Sequence, residues 1–557
     1  MITSSTSEVV SHVKWRLWSA RIATAVFVPL LLLGIVECGL RIFDIGFPSD
    51  VTVPCTIKGS PASCDNLFFT TRFFPPHMVR LPRPYAIPKE KAPNTFRVFI
   101  LGESTAFGDP EPTYGFSRYL EAMLRERFPN RNFEVINTGV TAINSHVVLP
   151  IAKGLADQHG DLFVIYTGNN EVVGPYGPGT VLTSTAFGLP AIRASLFLRS
   201  TRIGQLIMKA VEPKSAKAPQ QWGGMEMFLN QQVRATSPGL ARGYQNFGIN
   251  LEDTISAVRK SGAKVMVSTI ATNLKDCAPF ASLHREGLNK SQLDSWTALV
   301  QKGDEQEARG SYEEALQFYR SAAEIDAEYA ELEYRIARCL WKLNNFTGAK
   351  EHFTQAQNLD TLRFRADTKI NDKIRSVTAK AGVELVDSEE ELSRESMNGI
   401  TGSELFWEHV HLTPQGNYLV ARALFAHIAK MLSTEAGASA FIEVPSIEEC
   451  NRDLALTSYD KARVASDMLQ RLEKPPFTHQ LNNQEQLSEL ARMADAPIEA
   501  DNEIADQYRM AIAHHPDDKL LHLNFGFFLY DRDPRAAVYQ LKMAQPYDKV
   551  PLARYGR

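Results

Sequence analysis

The chain is 557 residues long, 44% hydrophobic and 22% charged, and its 60 basic and 64 acidic residues leave a formal net charge of −4. Such a length holds two to four domains. The even charge balance supplies no basic footprint for nucleic acid, and no Gly-x-Gly-x-x-Gly run between strand and helix, and no Walker loop, is there to hold a nucleotide, so no cofactor is expected.

Ile22 to Val36 carries no charge, and apolar residues continue past Glu37 at Leu40, Ile42 and Phe43. Residues 22–43 therefore read as a transmembrane segment at the short end of what spans a bilayer. Lys14, Arg16 and Arg21 lie upstream, which keeps residues 1–21 in the cytoplasm and exports the remainder to the periplasm or cell surface. No Ala-x-Ala site follows, and Glu37 just before Cys38 argues against a lipoprotein signal, so an uncleaved signal anchor is preferred to a secreted enzyme. Residues 44–89, rich in proline, read as an extended stalk or wrap. Within them Cys55 and Cys64 can close a short polar loop in an oxidising compartment, Cys277 and Cys450 are a second candidate pair, and Cys339 reads as a core residue.

Three apolar runs, 97–101, 133–137 and 162–167, read as buried strands, each stopping at small or polar residues. The first ends in Gly102-Glu103-Ser104-Thr105, which delivers a serine to the start of a helix. A hydroxyl placed there has backbone N–H donors at hand for a developing oxyanion, although Ser is also a favoured helix N-cap. The second run ends at Gly139, where a backbone N–H can approach closely, and the third at Gly168-Asn169-Asn170-Glu171, where Asn170 offers an amide donor. Turns after strands explain each of these blocks singly.

Further strands are expected at 264–270 and 383–386, and alternating strands and helices argue for a parallel sheet. The stretch 172–260 between them is an insertion: a Gly/Pro-rich hinge precedes Ile192 to Val211, whose apolar face suits either a lid over an acyl pocket or a helix covering the sheet. Residues 291–360 contain a repeat. Gly310, Tyr312, Ala315, Tyr319, Ala322 and Asp326 recur 34 positions later as Asn344, Phe346, Ala349, Phe353, Ala356 and Asp360, the period of tetratricopeptide repeats. Two copies are few for a free-standing solenoid, so they are expected to pack on the rest of the chain. Next, Glu408 stands three residues before His411, ahead of a helical pattern from Gln415 to Lys430. An acid so placed can accept the Nδ1 proton and leave Nε2 for a serine. A solvated loop is the competing reading, and no cysteine pair or His-Glu-x-x-His run supports a metal. Residues 434–557 read as helical and repeat-like, from Tyr508 and Ala511 through Gly526 to Ala537.

Ser104, Gly139, Asn170 and His411, met in that order, resemble the four namesake residues of the SGNH (GDSL-type) hydrolase superfamily. Glu408 stands where aspartate is usual, and Gly-Glu-Ser replaces Gly-Asp-Ser. The resemblance implies a three-layer α/β/α flavodoxin-like domain, here in two pieces at 90–290 and 361–433, holding an inserted repeat pair and followed by an all-α region. It implies Ser104 as nucleophile, His411 as general base and acid, Glu408 as its orienter, and an oxyanion hole from the N–H groups of Ser104 and Gly139 and the Asn170 amide.

The expected function is that of an extracytoplasmic serine esterase on O-acyl esters of carbohydrate or lipid, working through an acyl-serine. An O-acyltransferase of the cell envelope or exopolysaccharide uses the same triad, and a repeat-based interaction scaffold on an inactive hydrolase fold is the alternative outside catalysis. The repeats offer a surface for a protein partner.

Overall fold

The computed structural model describes residues 5–183, 188–211, 222–435 and 442–548. Parts of the expected lid insertion (184–187 and 212–221), of the C-terminal region (436–441 and 549–557) and of the amino end (1–4) lie outside them. The described residues form two units, 5–49 with 188–211, and 50–183 with 222–435 and 442–548.

In the first unit Ser5–Ile42 is one helix, and its Thr24–Ile42 stretch is apolar enough to cross a membrane. At 1.5 Å per residue those 19 residues reach roughly 28 Å, close to the hydrocarbon thickness of a bilayer. Leu189–Ser200 and Arg202–Val211 are two further helices. Both oxygens of Glu37, near the end of the long helix, accept backbone N–H groups at the start of the second of these, from Arg202 and Ile203 at 3.0 Å each. The segment expected as a lid or a sheet cover is thus tied to the exit of the apolar helix.

The second unit begins with a small antiparallel sheet, β1 (Thr52–Ile57), β2 (Ser60–Asp65) and β3 (Ala86–Pro88). Residues 50–88 therefore do not make the extended stalk their prolines suggest. Pro75 and Pro76 start a 3-10 turn, where a missing N–H costs nothing, and Phe69, Phe73, Phe74, Met78 and Ile87 are buried. The Cys55–Cys64 disulfide joins β1 to β2. The proposed Cys277–Cys450 pair does not form: both thiols are free and buried, Cys277 beside the Gln480 amide at 3.2 Å and Cys450 inside a short helix.

The main sheet is wholly parallel. Its strands are β4 (Thr95–Gly102), β5 (Asn132–Asn137), β6 (Leu162–Tyr166), β7 (Lys264–Ser268) and β8 (Glu384–Val386), in the order β5-β4-β6-β7-β8. That is the doubly wound order of flavodoxin-like folds, whose direction of winding reverses between the first and third strands, here β4 and β6. Phe116–Arg127 packs with Pro414–Glu435, while Pro238–Lys260 packs with Ser145–Leu155 and Thr368–Ala381. Right-handed crossovers place these two groups on opposite faces. Every residue of β4 is buried, including Arg97, whose guanidinium donates to Glu134, Gln158 and Pro88.

The repeat is four helices, Lys290–Ala308, Tyr312–Ile325, Ala330–Lys342 and Phe346–Leu359. The 34-residue correspondence is spatial as well: Gly310 and Asn344 both take positive φ, Ala315 and Ala349, Tyr319 and Phe353, and Ala322 and Ala356 share one core, and Asp326 and Asp360 are both buried. Those two aspartates hold the strap after β7, Asp326 through Arg285 N–H and His284 Nδ1, Asp360 through Phe280 and Ala281 N–H. A helical region follows from Ile447 to Met543, with Tyr508, Ala511, Phe525 and Ala537 in its core.

Candidate active site

Ser104 opens a four-residue helix directly after β4, with Glu103 in extended conformation before it. The turn is tight because β4 and β6 converge: a Cβ on Gly102 would stand 2.0 Å from the Tyr166 carbonyl oxygen. Gly139 also lies close to this turn, where a Cβ would meet Phe107 N at 2.6 Å. The Thr105 hydroxyl donates to the Val410 carbonyl at 3.3 Å and so couples the serine turn to the histidine loop.

The histidine loop is a hairpin-like turn, closed by the Trp407 N–H to His411 O bond of 2.8 Å and held from the β7 side by Asn273, which donates to Glu408 O and His409 O. Glu408, 1% exposed, accepts the His411 N–H at 2.7 Å, and its Oε1 also lies 2.7 Å from His411 Nδ1. His409 Nδ1 approaches the other oxygen. The ring of His409 is enclosed by Phe280, Phe364 and Phe477. Burial pushes His409 well below the ordinary imidazole value, and burial, opposed by the charge of Asp109 and aided by that of Arg471, leaves His411 at about 4. His411 is consequently a neutral base near pH 7.

The Nε2 of His411 faces Asp109, 3.2 Å from Oδ2, and the Ser104 hydroxyl makes no hydrogen bond to it. Asp109 is in turn bridged by Arg471 at 2.7 and 3.1 Å. Burial would raise its carboxyl, but the cations around it hold it at about 2. His411 contributes to that shift when protonated; at neutral pH, where His411 is uncharged, the cations facing the Asp109 carboxylate are Arg471 and Arg80. Arg463 grips Glu111 at 2.6 Å from the same C-terminal helix, Ser458–Leu472, so the all-α region buttresses the serine loop.

Glu103 reaches across to the loop after β6. Its carboxylate accepts the Thr167 hydroxyl at 2.7 Å and the N–H groups of Gly168 and Asn170 at 3.0 and 3.1 Å. Those bonds fix the backbone of Asn170, whose side-chain amide makes no hydrogen bond among the described residues. Gly139 differs from expectation, since its N–H donates to Asn137 Oδ1 at 2.9 Å, while the Asn137 amide binds Ala106 O and Ser117 Oγ. Nearby, Glu171 accepts the Ser145 N–H and hydroxyl. Burial raises the carboxyls of both Glu103 and Glu171, and the charge of the first adds to the shift of the second.

The structure thus brings all five sequence-predicted residues, Ser104, Gly139, Asn170, Glu408 and His411, to the edge of the sheet at or next to the reversal of winding. It adds Glu103, Asp109, Asn273 and Arg471, which sequence reasoning did not assign. Only Glu103 left a signal, as a departure from the family motif. Among the described residues, donor atoms of Glu408, His409 and His411 lie within 4.8 Å of one another, close enough to share a metal ion.

Fold and site together define a doubly wound α/β domain with a serine, histidine and carboxylate at the reversal of winding, carrying helical repeats. Residues 307–364 match the family model described as tetratricopeptide repeat. Among solved structures the chain is similar to one titled as the crystal structure of an acetyl xylan esterase, AlAXEase, at 12% identity and a TM-score of 0.28, covering 60% of this chain and all of that one. A likeness at that level carries no functional weight. No curated protein matches the chain in sequence.

Proposed function

We propose that this is a membrane-anchored, extracytoplasmic serine esterase that hydrolyses O-acyl esters of a carbohydrate or lipid. The observation that carries the reading is the Glu408–His411 pair, a buried carboxylate 2.7 Å from Nδ1 of a histidine kept neutral, beside a serine at the mouth of a parallel sheet. In the first step His411 Nε2 exchanges Asp109 for the Ser104 hydroxyl and takes its proton as Oγ attacks the ester carbonyl. The oxyanion is met by the Ser104 N–H and the Asn170 amide. The alcohol leaves with the proton from His411, and water, activated by the same nitrogen, releases the acid from acyl-Ser104.

One observation supports the anchor over a cleaved signal: Glu37 caps the helix at 202 through the Arg202 and Ile203 N–H groups, contacts a removed peptide would forfeit. The Cys55–Cys64 bond fits an oxidising compartment.

An O-acyltransferase is the second reading, favoured by how little of Ser104 and His411 meets solvent, 9% and 6%. The scaffold reading rests on the Asp109 contact to His411. The test is a fluorophosphonate probe on the full chain, followed by p-nitrophenyl acetate hydrolysis. Labelling and turnover abolished by Ser104→Ala and His411→Ala are expected, labelling without turnover points to a transferase, and no labelling of folded protein refutes catalysis.

A further inference from the structure

The pair of helices at Leu189–Ser200 and Arg202–Val211 presents apolar side chains to the outside: Phe197 is 73% exposed, and Leu198, Leu206 and Ile207 are exposed with it. Between Leu189 and Val211 the charged residues are Arg193, Arg199, Arg202 and Lys209, and none is acidic. Exposed aromatic and aliphatic residues combined with basic ones alone describe a helix that lies in the headgroup region of an anionic leaflet.

Its position follows from Glu37. A carboxylate inside an apolar span is costly unless partnered, and this one spends its oxygens on Arg41 Nε at 2.9 Å and on the Arg202 and Ile203 N–H groups. The start of the second helix is therefore at the level of the last turns of Thr24–Ile42. Beyond the span, Phe47 pairs with the Gln205 amide and Ser49 Oγ donates to Ser200 O, which fastens the outgoing chain to the same two helices. The apolar face is thus set where hydrocarbon gives way to headgroups.

We infer that residues 189–211 form an interfacial helix pair, clamped to the anchor by Glu37, that inserts Phe197, Leu198, Leu206 and Ile207 into the anionic outer face of the membrane. The inference rests on the anchor reading.

The test is the full chain in nanodiscs of phosphatidylcholine and phosphatidylglycerol that carry a phospholipid with a diazirine on its acyl chain. After irradiation, adducts are mapped by mass spectrometry. Expected are adducts at 197, 198, 206 and 207 as well as within 24–42, several-fold above Phe527, an exposed aromatic of the other unit. A Phe197→Asp, Ile207→Asp double variant should lose the hairpin adducts and keep those of the span. Adducts confined to the span would overturn the inference while leaving the anchor intact. Adducts in neither segment would overturn both, and labelling of Phe527 equal to that of Phe197 would overturn the insertion.

Discussion

Glu103→Gln probes the least expected part of the site. The wild-type carboxylate accepts three donors at 2.7, 3.0 and 3.1 Å and is 2% exposed, so no solvent replaces a bond that is lost. An amide oxygen in the Oε1 position still serves Thr167 and Gly168, but the amide nitrogen then confronts the Asn170 N–H, donor against donor. An unpaired buried N–H costs about 1–3 kcal/mol, and the confrontation puts the cost at about 2–3 kcal/mol, a fall in Tm of roughly 3–5 °C for a domain of this size. The same change loosens Asn170. Loss of one oxyanion donor costs roughly 10²–10³ in kcat, so Glu103→Gln should cost about ten- to a hundred-fold and Asn170→Ala at least as much. The assay is p-nitrophenyl acetate hydrolysis with thermal unfolding, on both single variants and the double. If Glu103 acts by positioning Asn170, the double variant is no slower than Asn170→Ala. A double variant slowed by the product of the two single effects would refute the positioning role, and an unchanged Tm would refute the hydrogen-bond accounting.

The acidic limb of kcat/KM should fall near pH 4 rather than 6.5, because the base form of His411 persists down to about 4. Arg471→Gln removes a cation that depresses His411 and leaves Asp109 to favour its protonated form, so the limb should move to higher pH. Both histidines are held neutral in the folded state, so unfolding takes up protons below the ordinary imidazole value near 6.5, and stability should decline as pH drops from about 6.5 to about 4, read as a falling Tm. Replacing Cys55 and Cys64 by serine opens a loop of separation 9 and should cost about 2.5 kcal/mol, measurable by denaturant unfolding against the oxidised wild type. In the repeats, a Cβ at Gly303 would stand 2.3 Å from the Tyr319 ring, so Gly303→Ala should destabilise by about 1–3 kcal/mol and expose 290–359 to limited proteolysis.

Where the information is local, the sequence determined a good deal. Strand placement followed from short apolar runs, because a parallel strand covered on both faces has no polar side to show. The 34-residue repeat followed from recurring small and aromatic residues, because helices that cross closely admit few side chains; Ala315 with Ala349 and Tyr319 with Phe353 are buried as that period demands. The Glu408–His411 contact was legible because it spans three residues. Tertiary structure decided the rest. Asp109 meets Arg471 across 362 positions and Glu103 meets the Asn170 N–H across 67, pairings that leave no period in the chain. The prolines of 50–88 suggested extension because they break local structure, yet distant apolar surface was there to fold that segment upon. Glu37 is a charge in an otherwise apolar stretch, and only the fold supplies the second helix whose first N–H groups meet its carboxylate. A side chain's spacing along the chain records which neighbours it has locally; only folding brings together the donors and acceptors that burial then obliges to pair.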